Sequence, residues 1–63
     1  MFYVVEIDGF IRSLIDTTGK ANKYGKPKLF KTKKDAEAWI SRRTYKGMTH
    51  KYEIHRLEAD VQI

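Results

Sequence analysis

Lysine supplies most of the reactive chemistry in this chain: GKANKYGKPKLFKTKKDAEAW, residues 19–39, holds seven lysines against two carboxylates, Asp35 and Glu37. Ammonium groups on long flexible stems attract phosphates and carboxylates, and each phosphate they neutralise releases bound counterions. Two lysine-rich settings are expected. Lys20, Lys23, Lys26 and Lys28 fall on a flexible polar loop that also carries Tyr24, an aromatic able to stack on a base. Lys31, Lys33, Lys34, Arg42, Arg43 and Lys46 gather around a helix. Lys33 and Lys34 crowd the positive end of that helix, where a cation is unfavourable by a few tenths of a kcal/mol or more. A chain that tolerates them there has a use for the charge against an anion, unless Asp35 merely offsets the cost.

Other chemistries fit the residues poorly. Gly19 and the Gly25-Lys26 pair invite comparison with a phosphate-binding loop. Five residues separate those glycines instead of four, Pro27 stands where a magnesium-binding hydroxyl would be, and no helix follows directly. His50 and His55 are the only histidines; five apart on an extended segment, they point to opposite faces and cannot hold one metal together. Asp8 is accounted for by a turn and Asp16 by a strand end. A Ser-His-acid grouping has no signature here. The expectation is therefore a protein without enzymatic activity, cofactor or metal.

The charge is also unevenly placed. Residues 1–19 carry Arg12 against Glu6, Asp8 and Asp16, a net −2; residues 52–63 carry Arg56 against Glu53, Glu58 and Asp60, again −2. The segment 20–51 sets eleven Lys and Arg against Asp35 and Glu37, a net +9. Such a block creates a local field that the overall charge of +5 understates. Sixty-three residues make one domain, 1–63, of the size that buries only about 60% of its unfolded surface. Cysteine is absent, so neither a disulfide nor a thiolate site contributes, and a reducing compartment is implied. The opening MFYVVEIDG contains Glu6 and Asp8 and has no basic leader, which reads as neither signal peptide nor membrane span. A soluble cytoplasmic protein is expected.

The elements that must position these residues can be sketched from pattern. YVVEI and FIRSLI flank Asp8-Gly9, the preferred pair for a two-residue type I′ hairpin turn. With that turn Ile7 faces Phe10, Val5 faces Arg12 and Tyr3 faces Leu14, so Tyr3, Val5, Ile7, Phe10 and Leu14 form the expected core face, interrupted by Arg12. The other face, Phe2, Val4, Glu6, Ile11, Ser13 and Ile15, is apolar enough to meet a partner or a second copy. A lysine loop follows, and PKLFK, residues 27–31, is a candidate short third strand with Pro27 at its start. Thr32 is a helix N-cap with Asp35 as the capping acid; Ala36, Trp39, Ile40 and the stem of Arg43 form one stripe; Thr44 and Gly47 end the helix. In HKYEIHRLEADVQI the apolar parity switches after Ile54, which implies a bulge near His55 or Arg56, or a strand end followed by a separate tail. The fold class is α+β: a small antiparallel sheet of three to four strands with one helix packed on a face.

LFKTKKDAEAW, residues 29–39, resembles the strand-to-helix junction of the arm-type DNA-binding domains at the N-terminus of phage and conjugative-transposon tyrosine integrases. The resemblance implies a sheet that enters the major groove with the helix behind it. By position it makes Phe30 the core aromatic, Thr32 the cap, and Ala36 and Trp39 the face on the sheet. Leu29 stands where that family has glycine, and a strand follows the helix instead of a recombinase domain. Three functions are thereby expected in order. The first is a nucleic-acid-binding module, with DNA as the expected polyanion, contacting phosphates through the basic loop and helix. The second is a phage-type modulator or inhibitor docking an acidic host protein. The third is a structural protein that self-associates as a homodimer through the outer face of the hairpin or the C-terminal strand.

Overall fold

The computed structural model describes residues 1–57. Strands β1 (Phe2–Asp8), β2 (Ile11–Ile15) and β3 (Ala21–Asn22) precede one helix, α1 (Lys33–Arg43), and strand β4 (Lys51–Arg56) follows it. The strands form one antiparallel sheet in the order β3-β2-β1-β4, so the first strand is central and β4 lies beside it. The α+β architecture with a helix on one face is as the pattern predicts.

The hairpin turn lies one residue further along than the Asp-Gly pair implies. Asp8 pairs with Ile11 and Val5 with Leu14, which leaves Gly9 and Phe10 as the two turn residues. Gly9 has φ 63°, and among the described residues only glycines have a positive φ. A glycine of that kind at the first turn position is the type II′ solution, whereas type I′ would force Phe10 or Asp8 into the left-handed region too. Phe10 is left wholly in solvent.

The core forms on the opposite face of the hairpin from the expected one. Val4, Ile15, Ala36 and Trp39 are buried, with Phe30, Ile40, Tyr52 and Ile54 packed around them. β4 decides this. Its register places Ile54 beside Val4 and Tyr52 beside Glu6, so the apolar residues of β4 fall on the same side as Val4. Tyr3, Val5, Ile7 and Leu14 remain half-buried on the other side, which no element among the described residues covers.

The third strand also differs. Ala21 and Asn22 pair with Ile15 and Leu14, while the expected strand at residues 27–31 contributes only two bridges, Asp16 with Pro27 and Phe2 with Phe30. Pro27 has no N–H to give a ladder. The Lys28 N–H donates to the Ile15 carbonyl and the Phe30 N–H to the Phe2 carbonyl, both at 2.8 Å. This stretch therefore seals the corner where β2 ends and delivers Phe30 onto Trp39, ring centroids 6.3 Å apart.

The helix begins as its cap signal predicts, with the Asp35 N–H donating to Thr32 Oγ1 at 3.1 Å. It stops at Thr44, whose N–H and hydroxyl both donate to the Ile40 carbonyl. Gly47, expected to share in that stop, instead occupies a separate turn closed by the Met48 N–H on the Tyr45 carbonyl, with φ 89° at its third position as type II requires. β4 keeps one register with β1 from Lys51 to Arg56 and shows no bulge, so of the two sequence readings the strand end is the one observed. The proposed C-terminal dimer element falls mostly on residues 58–63, outside the described residues.

Candidate nucleic-acid interface

The lysine loop is built on one carboxylate. Asp16 Oδ1 accepts from the N–H and the hydroxyl of Thr18 and from the N–H of Lys20, and Asp16 Oδ2 accepts from Asn22 Nδ2. Bonds of this kind favour the charged form, and the Thr18 hydroxyl, then the Lys20 amide, hold the Asp16 carboxyl at about 2, well below its ordinary value. Asn22 in turn accepts from the Tyr24 N–H at 2.9 Å. A Cβ at Gly25 would lie 2.7 Å from Asn22 Nδ2 and 3.2 Å from Asp16 Cβ, so a larger residue here would push the Asn22 amide off its partners. Residues 16–25 are thus an ordered turn system, not the flexible loop that their polarity implied.

Lys20 sits in that turn; Lys23, Tyr24 and Lys26 follow β3 at the exposed rim; Lys31, Lys33 and Lys34 lead into and open the helix; Arg42 closes it and Lys46 lies just beyond. All nine of these side chains are exposed, and none of the cations forms an ion pair with a carboxylate of the described residues. Two of the expected binding residues are turned to packing. The Arg43 guanidinium lies 4.5 Å from the Trp39 ring centroid, against buried Gly19, where a Cβ would come within 2.8 Å of Arg43 Nη2. Lys28 lies 5.8 Å over the Phe30 ring. The structure therefore joins the β2–β3 turn to the C-terminal end of α1 through Arg43. It does not gather the helix cations into one stripe: Lys33 and Arg42 are separated by about 13 Å of helix axis.

Two polar groupings escaped the sequence reading. On the helix side His50 Nε2 lies 3.2 Å from Glu6 Oε1 and 3.3 Å from the Tyr52 hydroxyl, and burial, then the Glu6 charge, raises the Tyr52 phenol. On the uncovered face Glu53 meets Arg12 and His55, and His55 stacks on Tyr3 at 5.5 Å. The His55 hydrogen bond, then Arg12, lowers the Glu53 carboxyl. His50 and His55 do lie on opposite sides of the sheet, and no group of three or more potential ligands among the described residues is placed to hold a metal. Strand parity was the available signal for both groupings, but it becomes usable only once β4 is known to pair with β1.

No protein-family model matches the chain, and neither a curated protein nor a solved structure matches it significantly. No helix among the described residues is long and apolar enough to cross a membrane.

Proposed function

We propose that this protein is a small nucleic-acid-binding module that contacts the phosphate backbone through its lysine loop and the exposed cations around α1. The observation that carries this reading is the stretch 17–34, which holds seven lysines and no carboxylate. No described carboxylate from elsewhere in the fold comes within ion-pairing distance of these lysines. A domain needing charge only for solubility gains most from interspersed signs. A one-sided field that the fold leaves unneutralised is matched by a polyanion, and DNA is the polyanion we favour. Contacts of this kind give affinity and orientation with little sequence information.

The test is a titration with a labelled mixed-sequence duplex at two salt concentrations, repeated with the Lys23→Glu/Lys26→Glu double variant. Binding that weakens steeply with salt and is lost in the variant, at an unchanged thermal midpoint, is the expected result. Lys28 is left intact because it packs over Phe30. Salt-independent binding, or binding that survives both charge reversals, overturns the reading.

A second reading is favoured by a different observation. The uncovered sheet face carries half-buried Tyr3, Val5, Ile7 and Leu14, and the hairpin tip beside it presents fully exposed Phe10. A module that modulates another protein would dock there, and Val5→Asp would then abolish capture of the partner while charge reversal in the lysine loop left it intact.

A further inference from the structure

We infer that the nucleic acid bound by this module is single-stranded, with Tyr24 as the platform on which an unpaired base stacks and Lys23 and Lys26 on the phosphates either side. The inference rests on the nucleic-acid reading above and deepens it. Tyr24 is 94% exposed, so its ring has no packing role in the fold. Its backbone is nevertheless fixed: Asn22 Oδ1 holds the Tyr24 N–H, Asn22 is tied to Asp16, and Gly25 is pressed against both. The aromatic is therefore presented from an organised turn, which lowers the ordering cost of engaging a ligand.

The surroundings separate single strands from duplexes. Duplex grooves are entered by a helix or a two-stranded ribbon. The elements long enough for this carry carboxylates: α1 exposes Asp35 and Glu37, and the β1–β2 hairpin exposes Asp8 at its tip, with Arg12 already engaged by Glu53, while the β2–β3 pairing spans only two residues of each strand. Between Asn22 and the helix the carboxylate-free stretch is instead irregular chain with a projecting ring. Alternating cations and an aromatic along such a rim match a strand whose phosphates lie outside and whose bases are free to stack. Bases within a duplex have no free face to offer.

The experiment measures fluorescence anisotropy of labelled twelve-nucleotide oligothymidine and of a labelled twelve-base-pair mixed duplex, both at low salt. Wild type, Tyr24→Ala, Tyr24→Phe and Lys23→Gln/Lys26→Gln are compared. The expected result is tighter binding of the single strand, weakened about five- to a hundredfold by Tyr24→Ala and retained by Tyr24→Phe. The thermal midpoint of every variant is expected to match wild type, because these side chains lie in solvent. Equal or tighter binding of the duplex overturns the inference while leaving the phosphate-binding reading in place. So does a Tyr24→Ala variant that binds oligothymidine as well as wild type while the double glutamine variant binds weakly. Binding of neither probe overturns both.

Discussion

The corner under the helix and the lysine loop beside it are both ordered, but by opposite means. Around Trp39 order comes from burial: Phe30, Tyr52 and the Arg43 guanidinium enclose one indole, and Val4, Ile15 and Ala36 fill the space behind it. From Asp16 to Gly25 no large apolar side chain is buried, and order comes from hydrogen bonds converging on a single carboxylate. Burial stabilises in proportion to area and is indifferent to pH, whereas a carboxylate hub depends on its charge. The loop that carries the proposed binding residues is therefore expected to loosen in acid before the domain unfolds.

The largest effect is expected at the corner. Trp39→Ala removes the side chain that joins helix, loop and sheet, and should cost about 3–5 kcal/mol, enough to unfold most of a domain of this size. Chemical denaturation checks this, and a variant that still unfolds cooperatively near the wild-type midpoint would break the comparison. Next comes a test of which side of the sheet is the core. Val4→Ala should cost about 2 kcal/mol and its neighbour Val5→Ala well under 1, because only Val4 lies beneath the helix. Equal losses would mean that the open face is covered in solution.

The loop should respond to acid. Asp16 sits at about 2 in the folded chain, below its ordinary 3.8, so its contribution is complete above about pH 4. It declines as pH falls through that interval and is gone below 2. Thermal midpoints recorded from pH 5 to pH 2 should fall for wild type and fall less for Asp16→Ala. In the same variant at pH 7, hydrogen exchange of the Thr18 and Lys20 amides should accelerate while the α1 amides stay protected. Global loss of protection would show that hub and corner are one unit. The smallest effect belongs to the hairpin tip: Phe10→Ser should leave the unfolding free energy within about 0.5 kcal/mol of wild type, as chemical denaturation would read it, since the ring touches only water.

What could be read from sequence follows the same division. The helix, its Thr32 cap and its Ala36–Trp39–Ile40 stripe are encoded within a dozen residues, where local spacing decides the outcome. The hairpin was legible as a hairpin, but Asp-Gly is compatible with two turn placements, and a glycine at the first turn position suits II′ as well as the second suits I′. Choosing the core face required knowing that β4 joins β1 and brings Ile54 and Tyr52 to Val4, a pairing between distant segments that no local pattern contains. The basic rim was visible as composition. Its order was not, because Asp16, Asn22 and Gly25 look like ordinary loop residues until the chain folds back and makes each the partner of another. Arg43 and Lys28 group with the binding cations in the sequence because charge is visible there and an aromatic neighbour in space is not.

The strand order has a consequence for how the protein is made. The first strand lies inside the sheet, and its partner on one side, β4, is the last of the described strands to be synthesised. During translation the β1–β2 hairpin can close at once, but Val4 has neither Ile54 beside it nor a seated helix above it until Arg56 has left the ribosome. Cooperative folding of this domain accordingly waits for β4 to pair with β1, and its rate is set by closing that wide span.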